Sequence, residues 1–388
     1  MGYFWKNALL LCASLALALL LGELLLRVAG VGYPAFYIAD RHRGIAHRPH
    51  AEGWYRREGR AYIRINSDGL RDREHTRARA PGTLRIAVLG DSYAEALQLP
   101  MEQAFWAILE ARLGECQARA VEVINFGVSG YGTAQQLQTL RYQVRDYAPD
   151  LVLLAFFSGN DIRNNHPALN REPGVPYFVY QDGELVLDDS YLAHPSFGWP
   201  NTPTGRVFYW FLYRSRLLQL LNHLRLRLAA GNTGDTHVRV PGQEPGLDDN
   251  IYLVPAEPVW REAWRVTEDL LRLTAAEVGD IGAAFVLVSL SNSIQVHPDP
   301  ALRRDFAARL GVDDLFYPDR RLQALARREG WFTIALAEPF QAHAEAREVC
   351  LHGFANAMPC AGHWNAAGHR LAGEIIARRL CQAPGLFQ

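Results

Sequence analysis

Hydrophobic and polar positions follow three regimes along the chain. From Ala8 to Leu26 the residues are almost all apolar, with Glu23 the single charge, Lys6 before the run and Arg27 after it. Residues 31–80 are mixed and rich in Arg, His, Gly and Tyr, with one strand-like run, "AYIRIN", before the turn "SDG". After Pro81-Gly82 the pattern alternates. "LRIAVLG", "VEVINFG" and "DLVLLAFF" read as strands, while "MEQAFWAILEARL" and "AQQLQTLRYQVRDY" carry apolar residues at helical spacing.

Roughly residues 163–255 interrupt this alternation with a stretch rich in Pro, Asn, Asp and aromatics. It resumes with a helix around "WREAWRVTEDLLRLTAAEV", a strand "AAFVLVSL", a helix "RRLQALARREG" and a strand "WFTIALA". A last helix starts near Asn365, a good N-cap, through "AAGHRLAGEIIARRL". Apolar strands alternating with amphipathic helices predict a parallel sheet covered on both faces, with ligands at the carboxyl ends of its strands. Three strand-end loops carry small polar residues: Gly90-Asp91-Ser92, Gly127-Val-Ser-Gly130 and Ser158-Gly159-Asn160-Asp161.

The N-terminal run spans about 28 Å as a helix, close to the hydrocarbon core of about 30 Å. We read residues 1–30 as an uncleaved membrane anchor, with Glu23 near one end and paired to Arg27 one turn on. A cleaved signal peptide competes, because Ala16-Leu17-Ala18 is an A-x-A site, but cleavage there leaves Leu19 to Leu26 as an apolar stub. Cys12 follows leucine and lies too early for a lipoprotein signal. Residues 31–80 then form a membrane-proximal stalk packing on the domain 81–388. Arg27, Arg41, Arg43 and Arg48 follow the run, so a literal positive-inside count places that domain in the cytoplasm.

Composition adds little except by exclusion. Forty basic and forty-one acidic residues among 388 leave no charge bias, and nothing predicts nucleic-acid binding. Oligomeric state is silent. Of five cysteines, Cys12 lies in the anchor. Cys116, Cys350, Cys360 and Cys381 can pair three ways or stay reduced, and sequence does not choose. A Cys350–Cys360 bridge would close a short loop and add about 2.8 kcal/mol.

A hydroxyl nucleophile needs a base within hydrogen-bond reach and donors aimed at the developing oxyanion. Ser92 offers the hydroxyl at a helix N-terminus, Gly130 a backbone N–H, Asn160 a side-chain amide and His363 the base. The first three have plainer readings: an N-cap, a turn glycine and a turn cap. His369 rivals His363 but lies inside the last helix, where it packs. Asp91 reads as a structural acceptor.

Four ordered blocks, Gly90-Asp91-Ser92, Asn125-Phe-Gly-Val-Ser-Gly130, Gly159-Asn160-Asp161 and His363-Trp364-Asn365, resemble the SGNH (GDSL-like) hydrolases over about 81–388. The resemblance implies an α/β fold: a flavodoxin-like three-layer α/β/α sandwich with a parallel sheet, here preceded by one transmembrane helix. It also implies metal-free, cofactor-free ester hydrolysis or acyl transfer. Ser92 resembles the nucleophile and, with Gly130 and Asn160, the oxyanion donors; His363 resembles the general base. The family usually places an aspartate two or three residues before the histidine, where this chain has Ala361 and Cys360, and no carboxylate lies between Glu348 and His363. A Ser–His dyad, an acid from elsewhere and an inactive protein all stay open. Losing the orienting acid costs about 10⁴ in rate in a serine protease triad.

The stretch Arg206 to Ala230 reads as one basic amphipathic helix, with Trp210, Phe211 and leucines against Arg214, Arg216, Arg225 and Arg227. It either packs its apolar face on the domain or rests on the membrane or over an acyl group. The resemblance implies an esterase removing O-acyl groups, O-acetyl above all, from a carbohydrate or envelope polysaccharide. The domain would then lie outside a bacterial inner membrane, in the periplasm. An O-acetyltransferase using the same serine, an inactive polysaccharide-binding module and a lipid ester substrate are the alternatives.

Overall fold

The computed structural model describes residues 2–232 and 247–387. Its centre is a five-stranded parallel sheet: β1 Leu84–Leu89, β2 Val121–Asn125, β3 Leu151–Phe156, β4 Ala284–Ser289 and β5 Phe332–Ala335. The spatial order is β2-β1-β3-β4-β5, the flavodoxin-like order, with every neighbouring pair parallel. Every residue of β1 and β3 is buried, as continuous apolar runs require. The order reverses between β1 and β3, so the loops after these strands diverge and leave a crevice at their carboxyl ends.

The principal helices are α1 Gly2–Val28, α2 Phe105–Cys116, α3 Thr133–Tyr142, α4 Pro203–Arg214, α5 Arg216–Asn232, α6 Pro258–Asp280, α7 Tyr317–Glu329, α8 Ala337–Arg347 and α9 Ala366–Cys381. Helices α3, α6 and α7 pack on one face of the sheet, around Leu137, Trp264 and Leu325. Helices α2, α8 and α9 cover the other, around Trp106, Phe340 and Ile376. The result is the expected three-layer sandwich. Asn365 caps α9, accepting from the N–H groups of Ala367 and Gly368. His369, inside α9, is buried and accepts from the Phe105 N–H.

Disulfides Cys116–Cys381 and Cys350–Cys360 select one of the three pairings. The first joins α2 to α9. The second braces the loop that leads to His363. Cys12 is the free cysteine among the described residues.

Residues 31–80 carry two antiparallel hairpins, Tyr37–Asp40 with Gly44–His47 and Glu52–Tyr55 with Ala61–Arg64. Phe36, Ala51, Ala61, Ile63 and Ile65 form a small core with Leu97, which seats this segment beside the loop after β1.

Two local expectations need correction. The helix after β1 is a single turn, Ser92–Glu95, closed by Ala96 in the left-handed region at φ 53°. The stretch 206–230 is two helices broken at Ser215, which is extended and caps α5 through a hydrogen bond to Leu218 N–H. Serine competes with the helical backbone for its hydrogen bonds and so favours such a start. Nor does α4 bury its apolar side: Val207, Phe208, Trp210 and Phe211 are 42–58% exposed. Residues 233–246 of the expected insertion, and the side chain of Arg227, lie outside the described residues.

Candidate active site

The loops after β1, β2 and β3 are tied together before any candidate group is placed. Val128 N–H donates to the Gly90 carbonyl, joining the second loop to the first. The Asn160 amide donates to Asp91 across 2.8 Å, joining the third. Asp91 rather than Ser92 is the N-cap of the short helix, accepting from Tyr93 N–H at 2.9 Å. The capping duty is thus taken, and the Ser92 hydroxyl is left to face outward.

The hydroxyl meets His363. Ser92 Oγ lies 2.8 Å from His363 Nε2. His363 Nδ1 lies 2.5 Å from Glu58 Oε2, and the His363 backbone N–H donates to Glu58 Oε1 at 2.8 Å. A carboxylate at Nδ1 fixes that nitrogen as the protonated one, so Nε2 accepts from the serine. The ring is also packed against Tyr93, centroids 5.0 Å apart, whose hydroxyl donates to the Gly362 carbonyl. His363 and Glu58 keep 28% and 16% of their side-chain surface, so the group is reachable from solvent.

Glu58 answers the missing local acid: it comes from the turn of the hairpin Glu52–Arg64, inside the segment expected as a stalk. Gly59 makes this possible. Its φ of +68° and the Gln98 carbonyl, 2.2 Å from where a Cβ would sit, admit only glycine. Asn356 clamps the same residue, accepting from Gly59 N–H and donating to its carbonyl, both at 2.8 Å. Sequence reasoning missed Glu58 because the string "YRREGRAY" resembles a solvated charged turn. A carboxylate immediately before a hairpin glycine was the one available signal.

Electrostatics sort the carboxyls. Burial acts to raise Glu58, but the His363 ring and backbone N–H, with Gln98, hold it below the usual carboxylate range. Burial pushes Asp91 up to about 6, against the donors Tyr93 N–H and Asn160. Burial and the neighbouring Asp91 push Asp161 upward, against the Phe157 N–H that donates to it. Burial drives His352 down to about 3; that neutral ring bonds the Gly362 carbonyl at 2.7 Å and Ser291 Oγ at 3.1 Å, stiffening the strand that carries His363.

Gly130 sits at φ +80° with open space where a Cβ would point. Its carbonyl accepts from Asn164, and the preceding Ser129 hydroxyl donates to the buried Glu95, which also binds His47 and Tyr37. The Ser129–Gly130 peptide is therefore held from both sides. Gly130 and Asn160 line a cleft of about 680 Å³ that runs between Tyr37 and Gly44 of the first hairpin, Asn170, Glu172 and Val175, and Tyr209 and Tyr213 of α4. Among the described residues no cluster of three or more His, Cys, Asp or Glu side chains is arranged to hold a metal ion.

No protein-family model matches the chain, and no curated protein matches it in sequence. Solved structures similar in outline include a catalytic mutant of an acetylxylan esterase from Geobacillus stearothermophilus, at 12% identity over 79% of this chain and 96% of that one, TM-score 0.39. A lipase from a goat rumen metagenome matches at 13% identity over 76% and 97%, TM-score 0.40. A structure described as a lipolytic protein of the G-D-S-L family from Desulfitobacterium hafniense matches at 10% identity over 76% and 99%, TM-score 0.35. At such scores only the residue geometry carries a function.

Proposed function

We propose that this chain is a membrane-anchored serine esterase of the SGNH type, working through an acyl-enzyme on Ser92. The carrying observation is the continuous relay Ser92–His363–Glu58, with contacts of 2.8 and 2.5 Å. His363 Nε2 takes the hydroxyl proton as Ser92 Oγ attacks the ester carbonyl, and Glu58 stabilises the imidazolium that forms. Ser92 N–H, Gly130 N–H and the Asn160 amide receive the oxyanion, Asp91 holding the amide in place. His363 returns the proton to the leaving alkoxide, and water activated by the same nitrogen then releases the acid. A complete relay favours catalysis over a binding module that merely kept the fold.

The substrate in this proposal is an O-acylated, above all O-acetylated, carbohydrate. The cleft supports it with Tyr37, Tyr209 and Tyr213 lining it beside Asn164, Asn170 and Glu172. Aromatic side chains interleaved with hydrogen-bonding groups suit a sugar, which has apolar faces and a polar rim.

Two observations support an uncleaved anchor, with the division 1–30, 31–80 and 81–388, and a periplasmic domain. Glu23 of α1 is built into the folded protein, accepting from Ser215 Oγ and from Arg216 and Leu217 N–H at 3.0–3.1 Å. Two disulfides favour an oxidising compartment over the cytoplasm, against the literal arginine count.

Labelling of the full chain in detergent with a fluorophosphonate tests the proposal. The wild type takes up the probe, and Ser92→Ala and His363→Ala do not. A well-folded wild type that resists the probe overturns it. Product analysis with a sugar acceptor then separates hydrolysis from acetyl transfer.

A further inference from the structure

Helix α4 has two unlike sides. Tyr209 and Tyr213 face the cleft and Leu212 is buried, while Val207, Phe208, Trp210 and Phe211 stand on the opposite side, exposed. At 100° per residue these four and Arg214 fall on one stripe of the helix. Trp199, 46% exposed, packs its ring against Phe208 and extends the patch. In α5, Leu221, Leu224 and Leu228 add a further exposed apolar row, with Arg225 beside it.

The anchor fixes where this patch sits. Glu23, near the end of α1, receives the first N–H groups of α5, and Arg27 donates to the Arg214 carbonyl at the end of α4. Farther along α5, Gln219 accepts from Tyr33 N–H, and His223 stacks on the Tyr33 ring at 3.9 Å. Helix α5 therefore starts against the last turns of α1 and leaves past its end instead of running back along it. The 26 residues Tyr3–Val28 rise about 39 Å, about 9 Å more than a hydrocarbon core of about 30 Å. The Glu23–Arg27 turn, and with it the α4–α5 junction, then falls in the headgroup layer.

We propose that α4 and the start of α5 are seated in the headgroup layer of the bilayer that α1 spans, the outer stripe of α4 immersed and its inner side forming the membrane-proximal wall of the cleft. This rests on reading α1 as a membrane span. The chemistry matches an interfacial helix: aromatic and aliphatic side chains on the immersed stripe, with Arg206 exposed at its edge, Arg214 at its C-terminal end and Arg225 on α5 to meet anionic headgroups. Arg214 lies over the Trp210 ring at 4.3 Å, a pairing suited to the interface. The cleft is thereby held at the membrane surface, and ester substrates presented at that surface reach it without leaving the interface.

The test uses the full chain reconstituted in vesicles of phosphatidylethanolamine and phosphatidylglycerol carrying a phospholipid with a photoactivatable diazirine near the headgroup. Peptide mapping after illumination is expected to place lipid adducts on residues 207–211 as well as on α1. The quadruple variant Val207→Ser, Phe208→Ser, Trp210→Gln, Phe211→Ser loses the α4 adducts, while Ser92→Ala keeps them, because the map does not depend on catalysis. Adducts confined to α1 overturn the seating of α4, as does crosslinking of residues 207–211 to a second copy of the chain. Absence of adducts on α1 itself overturns the anchor reading. Fluorophosphonate labelling reads the esterase proposal separately.

Discussion

Glu58 and His363 lie 305 residues apart in the chain and are joined by two hydrogen bonds, one to the ring and one to the backbone N–H of the same histidine. A carboxylate that grips a residue at both places sets the position and the tautomer of the imidazole together. The family resemblance puts the acid on the loop of the histidine; here that loop is closed by a disulfide and the acid arrives from the hairpin Glu52–Arg64. The hairpin segment between α1 and the sheet domain is therefore part of the candidate site.

Gly362 gives a steric test of that junction. It sits at φ +81°, and a Cβ there would lie 2.4 Å from Glu58 Oε1. Gly362→Ala is expected to displace the carboxylate and lower kcat about 10²-fold, the scale of an ångström-level misplacement of a catalytic group. KM for a small ester should hold, since the cleft walls are untouched. Steady-state kinetics on an activated acetyl ester check this.

The candidates Ser92, Gly130, Asn160 and His363 could be picked out because each is marked locally: three lie in loops that follow strands of the sheet, and one precedes a capped helix. The same periodicity made the sheet, its flanking helices and the Asn365 cap legible. Glu58 was not, because its role depends on where a hairpin packs, and its neighbours Arg56, Arg57 and Arg60 are exposed as in any charged turn. The break at Ser215 was hidden for a related reason. Apolar spacing continues through it, while Glu23, which receives the new helix N-terminus, lies 192 residues away.

Acid stability should report two buried neutral histidines. Burial holds His352 and His369 down near 3, against about 6.5 in the unfolded chain. Between these values the unfolded state binds the extra protons, so stability rises with pH and falls as pH drops from about 6.5 toward 3. The expected slope is about 1 kcal/mol per pH unit for each histidine. Denaturant midpoints at pH 7 and pH 5 measure it, and His369→Gln should show a shallower dependence than the wild type.

The Cys350–Cys360 bridge closes a loop of about ten residues beside His363. The double variant Cys350→Ser, Cys360→Ser should be less stable by about 2–3 kcal/mol at fixed pH. Loss of the brace should also weaken the His352 and Glu58 contacts and slow the probe reaction. Thermal melts with labelling rates measure both, and non-reducing peptide mapping verifies the bridge in the wild type.

The relay itself is tested most directly by Glu58→Gln, assayed for kcat/KM on a small activated ester beside Ser92→Ala. Glutamine keeps the size of the side chain but removes the charge that stabilises the imidazolium and fixes its tautomer. The expected result is a fall of about 10²–10⁴, carried by kcat, in a variant that melts as a folded protein. A Glu58→Gln enzyme within about threefold of the wild type, with Ser92→Ala inactive, would contradict the account: His363 would then be oriented without its distant carboxylate.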